Sequence, residues 1–85
     1  MNKNKNITPH NEKDERHGYW EEYALDGHLL FKGNYSNGKE VGYCESYWYN
    51  GNLLSKGRYI NGRKVGYWLQ QDPYYLDKIL KIYYI

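Results

Sequence analysis

A segment of 24 residues that copies itself constrains this chain more than any other feature. Residues 18–41 read GYWEEYALDGHLLFKGNYSNGKEV, and residues 42–65 read GYCESYWYNGNLLSKGRYINGRKV. A third copy opens with GYW at Gly66 and then diverges. Gly18, Gly42 and Gly66 set the register. A unit this short cannot bury a core alone, so the copies must stack and share one.

Four dipeptides punctuate the copies: Asp26-Gly27, Asn37-Gly38, Asn50-Gly51 and Asn61-Gly62. Asn-Gly and Asp-Gly suit two-residue hairpin turns, because both central residues need positive φ. Segments rich in Tyr, Trp and Leu lie between them. The pattern predicts strands near 18–25, 28–36, 39–49, 52–60 and 63–71, in an all-β, single antiparallel meander of repeated hairpins. Two-residue turns place Trp20 opposite Gly33, Glu21 opposite Lys32 and Tyr23 opposite Leu30. In the second copy they place Cys44 opposite Gly57, Glu45 opposite Lys56 and Tyr47 opposite Leu54. A large side chain over a glycine, an acid beside a base and an aromatic beside an aliphatic recur in both copies, each pair contributing about 0.2–1 kcal/mol.

Alternation then assigns faces. The expected core face carries Trp20, Ala24, Leu29, Phe31, Tyr35, Cys44, Trp48, Leu53, Tyr59 and Trp68. The opposite face mixes Tyr19, Glu21, Tyr23, Leu30, Lys32, Tyr43, Glu45, Tyr47, Leu54, Lys56, Arg58 and Tyr67. A flat sheet cannot bury one face against nothing, so it must curl, be capped or pair with another molecule. Gly33, Gly42 and Gly57 on the core face permit curvature, and a short curled trough is expected.

The ends are atypical. Residues 1–16 are polar and read as a flexible tail. Residues 17–71 hold the repeats (18–41, 42–65 and a partial 66–71). Pro73 interrupts the third copy, and residues 72–85 read as a terminal cap or last strand, with a short helix over 74–82 as the alternative. The N-terminus lacks the apolar stretch of a secretory signal, and no apolar run approaches the roughly 20 residues that span a bilayer. With Cys44 the single cysteine, no intramolecular disulfide forms, and a cytoplasmic protein is expected.

The pattern G-Y-W-x-x-Y-x-x-x-G-x-L-x-x-x-G-x-Y-x-x-G-K resembles the MORN repeat, in particular its bacterial antitoxin-like variant, over residues 18–68. The second copy departs from it at Cys44, where the others carry Trp20 and Trp68. The resemblance implies hairpin repeats in an elongated curved sheet that acts as a protein-interaction or dimerisation module. Membrane binding is attributed to some members. It implies no catalytic residue.

The residues point the same way. His10, His17 and His28 share no ligand spacing with Cys44, so no metal is expected. Glu21 and Glu45 face lysines, which favours ion pairs over acid–base chemistry. No glycine-rich phosphate loop precedes a helix. A non-enzymatic chain without cofactor is therefore expected. The candidate partner-binding residues are Tyr19, Tyr23, Lys32, Tyr43, Tyr47, Lys56, Arg58 and Tyr67, since tyrosine supplies rigid amphipathic contact area. The leading expectation is a small inhibitor, antitoxin-like or a phage-encoded anti-defence protein, that occludes a protein partner. The alternatives are a phospholipid-surface module, a structural homodimer and a single-stranded nucleic-acid binder. A net charge of +2 gives nucleic acid little electrostatic pull.

Overall fold

The computed structural model describes residues 5–85. Six strands form one antiparallel sheet in sequence order: β1 Gly18–Tyr23, β2 Leu29–Ser36, β3 Lys39–Tyr47, β4 Leu53–Ile60, β5 Arg63–Gln71 and β6 Ile79–Tyr84. The sheet is a meander, open at its ends, and the molecule is only 15 Å thick. No helix among the described residues is long and apolar enough to cross a membrane.

The four turns are of two kinds. At Asn37-Gly38 and Asn61-Gly62 both residues have positive φ, as a two-residue hairpin turn requires. At the other two turns only Gly27 and Gly51 do. There Ala24 N–H donates to His28 O and Trp48 N–H to Asn52 O, so the loops hold three residues, not two. The extra residue is absorbed at once. Tyr23 pairs with Leu29 and Tyr47 with Leu53, while Leu30 and Leu54 are bulged. The expected pairs Tyr23–Leu30 and Tyr47–Leu54 are thus displaced by one. Cross-strand partners share a face, so Leu29 and Leu53 lie beside the tyrosines and not in the core row. Beyond the bulges the expected register holds: Trp20–Gly33, Glu21–Lys32, Cys44–Gly57 and Glu45–Lys56.

A second bulge repeats with the period. Gly33 on β2 faces the three residues Gly42, Tyr43 and Cys44 on β3, and Gly57 on β4 faces Gly66, Tyr67 and Trp68 on β5. Gly42 and Gly66 have φ near +70°, a conformation that glycine adopts without a steric penalty. Gly42 therefore serves the bulge and not a bare patch of core. These bulges swing Cys44 and Trp68 over the glycines of the preceding strand. A Cβ on Gly57 would lie 2.6 Å from Trp68 Cγ. One on Gly33 would overlap Cys44 Sγ and lie 3.1 Å from Phe31 Cζ.

The core is a row of rings on one face. Trp20, Ala24, Tyr35, Cys44 and Trp68 are buried. Trp20 meets Tyr35 edge-on at 5.2 Å, and Trp68 meets Tyr59 edge-on at 4.9 Å. Arg16 stands 5.2 Å over the Trp20 ring and Lys64 stands 4.6 Å over Trp68. Arg16, Glu40 and Lys64 are the same repeat position. Where Cys44 replaces the tryptophan, Glu40 thus also replaces the covering cation. The first copy carries Phe31 where the second has Ser55, and Phe31 shares the space above Gly33 with Cys44. Trp48, expected in the core, is 44% exposed. It sits at the end of β3 beside a three-residue loop, and its indole N–H donates to Gln71.

The two ends differ in how they meet expectation. Met1–Asn4 lie outside the described residues, and residues 6–10 of the expected flexible tail lie against β1. Ile7 exchanges two backbone hydrogen bonds with Glu21, at 2.8 and 2.9 Å. Pro9 O accepts from Trp20 Nε1 at 2.8 Å, and His10 meets the Trp20 ring edge-on. Arg16 O accepts from Gly38 N–H as Glu40 O accepts from Gly62 N–H. Residues 6–9 thus close the first edge, and the hairpin over 10–17 meets Gly38 as Glu40 meets Gly62. At the other end residues 79–84 form a strand, so the helical alternative fails. β6 carries the apolar, β-branched and aromatic side chains that suit a strand. Trp68 pairs with Ile82 there, at the position held by Gly33 and Gly57 in earlier copies.

Candidate functional site

The face opposite the ring row carries a regular arrangement of tyrosines and charges. Register aligns Glu21, Lys32, Glu45, Lys56, Leu69 and Lys81 in one line across all six strands. The close ion contact in this line is Lys32 Nζ to Glu45 Oε1, at 3.8 Å. The direct lysine contact of Glu45 is therefore across the β2–β3 pair, and its register partner Lys56 acts on it at longer range.

Each carboxylate is held by two tyrosine hydroxyls from its own strand. Tyr19 and Tyr23 both donate to Glu21, the latter at 2.7 Å. Tyr43 and Tyr47 donate to Glu45 at 2.8 and 2.6 Å. Residues two apart on a strand share a face, so a Y-x-E-x-Y sequence builds this clamp without further help. The hydroxyl donors hold the Glu21 carboxyl below its ordinary value. Burial alone would raise Glu45, but the Tyr47 and Tyr43 hydroxyls with Lys32 and Lys56 outweigh it and lower it. In return the phenols are harder to ionise. Tyr19 is pushed up to about 12 chiefly by its bond to Glu21, and Tyr47 to about 12 chiefly by its bond to Glu45. Tyr43 reaches about 12 through burial first and Glu45 second. Tyr23 is raised by the same hydrogen bond to Glu21.

The bonds to Glu21 and Glu45 fix Tyr19 and Tyr43, whose rings still face solvent. Tyr19, Tyr43 and Tyr67 are 43%, 48% and 66% exposed, and they stand at one repeat position on β1, β3 and β5. Arg58 is exposed beside its register partner Tyr43. Lys32, Lys56, Tyr23 and Tyr47 are half-buried between them. The eight expected residues thus share one face. Two further members, Lys81 and Tyr83, were not anticipated. Lys81 lies 4.7 Å over the Tyr67 ring, and Tyr83 packs against Tyr67 at 4.8 Å. The sequence signals Lys81 through the K-x-x-Y spacing of Lys32–Tyr35 and Lys56–Tyr59, repeated at Lys81–Tyr84, and carries no such signal for Tyr83.

Cys44 is buried, and burial raises its thiol above the ordinary value, which disfavours the reactive thiolate. Among the described residues no cluster of His, Cys, Asp and Glu is placed to hold a metal ion. Comparison with protein-family models, with curated proteins and with solved structures finds no match.

Proposed function

We propose that this chain is a MORN-like, non-catalytic interaction module that occludes a protein partner through its tyrosine face. The observation that carries the reading is the pair of Tyr–Glu–Tyr clamps. Binding normally costs the entropy of immobilising interface side chains. Here Tyr19 and Tyr43 are already held by carboxylates while their rings stay exposed. Such rings are preorganised anchors, of the residue type enriched at binding hot spots. An inhibitor, antitoxin-like or anti-defence, is the form of the module we favour, because a thin sheet with one patterned face suits blocking better than chemistry. A cytoplasmic location fits this reading.

Affinity capture of the tagged chain from the cells that make it, followed by mass spectrometry, tests the proposal. One stoichiometric protein, lost with Tyr43→Ala plus Tyr67→Ala, is the expected result. No partner for the parent chain, or one held equally by the variant, would refute it.

A second reading has its own support. Tyr74, Tyr75, Leu76 and Leu80 are exposed beside Lys78 and Lys81, a pairing of apolar and basic groups that suits an anionic lipid surface. Co-sedimentation with anionic vesicles that fails at low salt would remove it.

A further inference from the structure

The two edges of the sheet are treated differently. The outer edge of β1 is covered by Ile7 and Pro9, and Asn6 Oδ1 accepts from Tyr23 N–H at 2.7 Å. Among the described residues no strand pairs with the outer edge of β6. An exposed apolar edge strand is a template for another strand. A charged side chain can blunt such an edge, but Lys81 is folded back over the Tyr67 ring on the β5 side. From this asymmetry we propose that β6 pairs antiparallel with β6 of a second copy, joining two sheets edge to edge.

The choice of occupant follows from the repeat. Continuing it head to tail would place Trp20 of a second copy over Ile82, as Cys44 lies over Gly33 and Trp68 over Gly57. Those two sites accept a large side chain because they have none. Ile82 fills its own site, and the β1 edge of the incoming copy is already covered. Open-ended growth is thereby disfavoured, and a closed two-fold pair remains. A two-fold axis perpendicular to the sheet keeps each face on its own side, so only residues of like parity can meet. Of the central registers, one sets Lys81 against Lys81. The next sets Ile82 against Ile82, with Lys81 opposite Tyr83 on both sides of the axis. The second avoids a like-charge contact and places each ammonium beside a ring. This inference stands apart from the partner-binding proposal. It leaves the Tyr19–Tyr43–Tyr67 row open and sets two such rows on one side of the joined sheet.

Sedimentation of the 85-residue chain over a concentration series tests it. The expected result is reversible growth from the 10.3 kDa chain to twice that mass and no further. Tyr83→Lys and Tyr83→Glu lose the same ring but set opposite charges against Lys81. The first should weaken the pair and the second tighten it, each roughly tenfold for two cross-strand contacts. Ile82→Cys should form a disulfide with its own copy, and Leu80→Cys should not. A monomer at every concentration, continued growth, an equal response of the two Tyr83 variants, or the reverse cross-linking pattern would overturn the proposal.

Discussion

Replacing Cys44 by tryptophan would complete the repeat on paper, yet the packing predicts that it destabilises the fold. Above Gly57 the three nearest heavy atoms all belong to Trp68, and Ser55 stands where the first copy has Phe31. Above Gly33 it is shared by Cys44 and Phe31. An indole at position 44 meets the Phe31 ring, and such overpacking costs about 1–3 kcal/mol. It also meets Glu40 where Trp20 and Trp68 have Arg16 and Lys64, which forgoes about 0.5–1 kcal/mol of cation–π attraction. Phe31→Ser alone removes a half-buried ring and costs about 2 kcal/mol. Independent effects would sum to about 3–5 kcal/mol, a large share of the roughly 4–13 kcal/mol expected for 85 residues. The double variant instead recreates the Ser55–Trp68 arrangement and should cost under about 1.5 kcal/mol. Adding Glu40→Lys should recover a further 0.5–1 kcal/mol or so. Equilibrium urea unfolding of the parent, the two single variants and the double variant, with the thermal midpoint moving about 4–8 °C per kcal/mol, reads the coupling directly. A double variant whose cost equals the sum of the singles within about 0.5 kcal/mol would refute the exchange of Phe31–Cys44 for Ser55–Trp68.

The remaining predictions concern the glycines, the tyrosines and the first edge. Gly57→Ala should cost at least about 3 kcal/mol by unfolding midpoint, because its Cβ would sit within the Trp68 ring system; Trp48→Ala, at an exposed site, should cost under about 1 kcal/mol. Tyr19, Tyr43, Tyr47 and Tyr59 are all pushed up to about 12, from the ordinary 10.0. Since the folded values are the higher ones, this stability is fully present below pH 10 and is lost as pH rises towards 12. Spectroscopic titration should therefore show a late tyrosinate fraction that disappears in denaturant. Deleting residues 1–16 should expose Trp20, which now bonds Pro9 and meets His10. A red-shifted fluorescence and a lower urea midpoint are expected, and unchanged emission would contradict the edge-closing role.

The hairpin order, the register over Gly33 and Gly57 and the face of the tyrosines were legible because the period repeats each constraint. The loop length was not, because Asp-Gly and Asn-Gly occur in both loop types. The legible trace was the adjacent pair Leu29-Leu30, repeated at Leu53-Leu54, which breaks alternation where the bulge forms. Trp48 was misplaced because parity assigns a face but not the depth of cover at a strand end. The hairpin over 10–17 was hidden because NEKDER shares no aromatic or Asn-Gly with YSNGKE; the bond its Arg16 carbonyl accepts from Gly38 repeats at Glu40 and Gly62, while its loop and side chains do not. The clamps were read as ion pairs because cross-strand partners were weighed and residues two apart on one strand were not.

The recognition surface proposed for this chain is the row Tyr19, Tyr43 and Tyr67 on β1, β3 and β5, of which the first two are held by carboxylates. The affinity of the captured partner, purified, is to be measured for three chains: the parent, Tyr43→Ala with Tyr67→Ala, and Trp48→Ala just beyond the end of β3 and outside that row. Unchanged urea midpoints would establish that all three are folded. The double variant should bind at least about a hundredfold more weakly, as two anchor residues imply, while Trp48→Ala should bind like the parent. Equal affinity of the double variant, or a loss confined to Trp48→Ala, would contradict it.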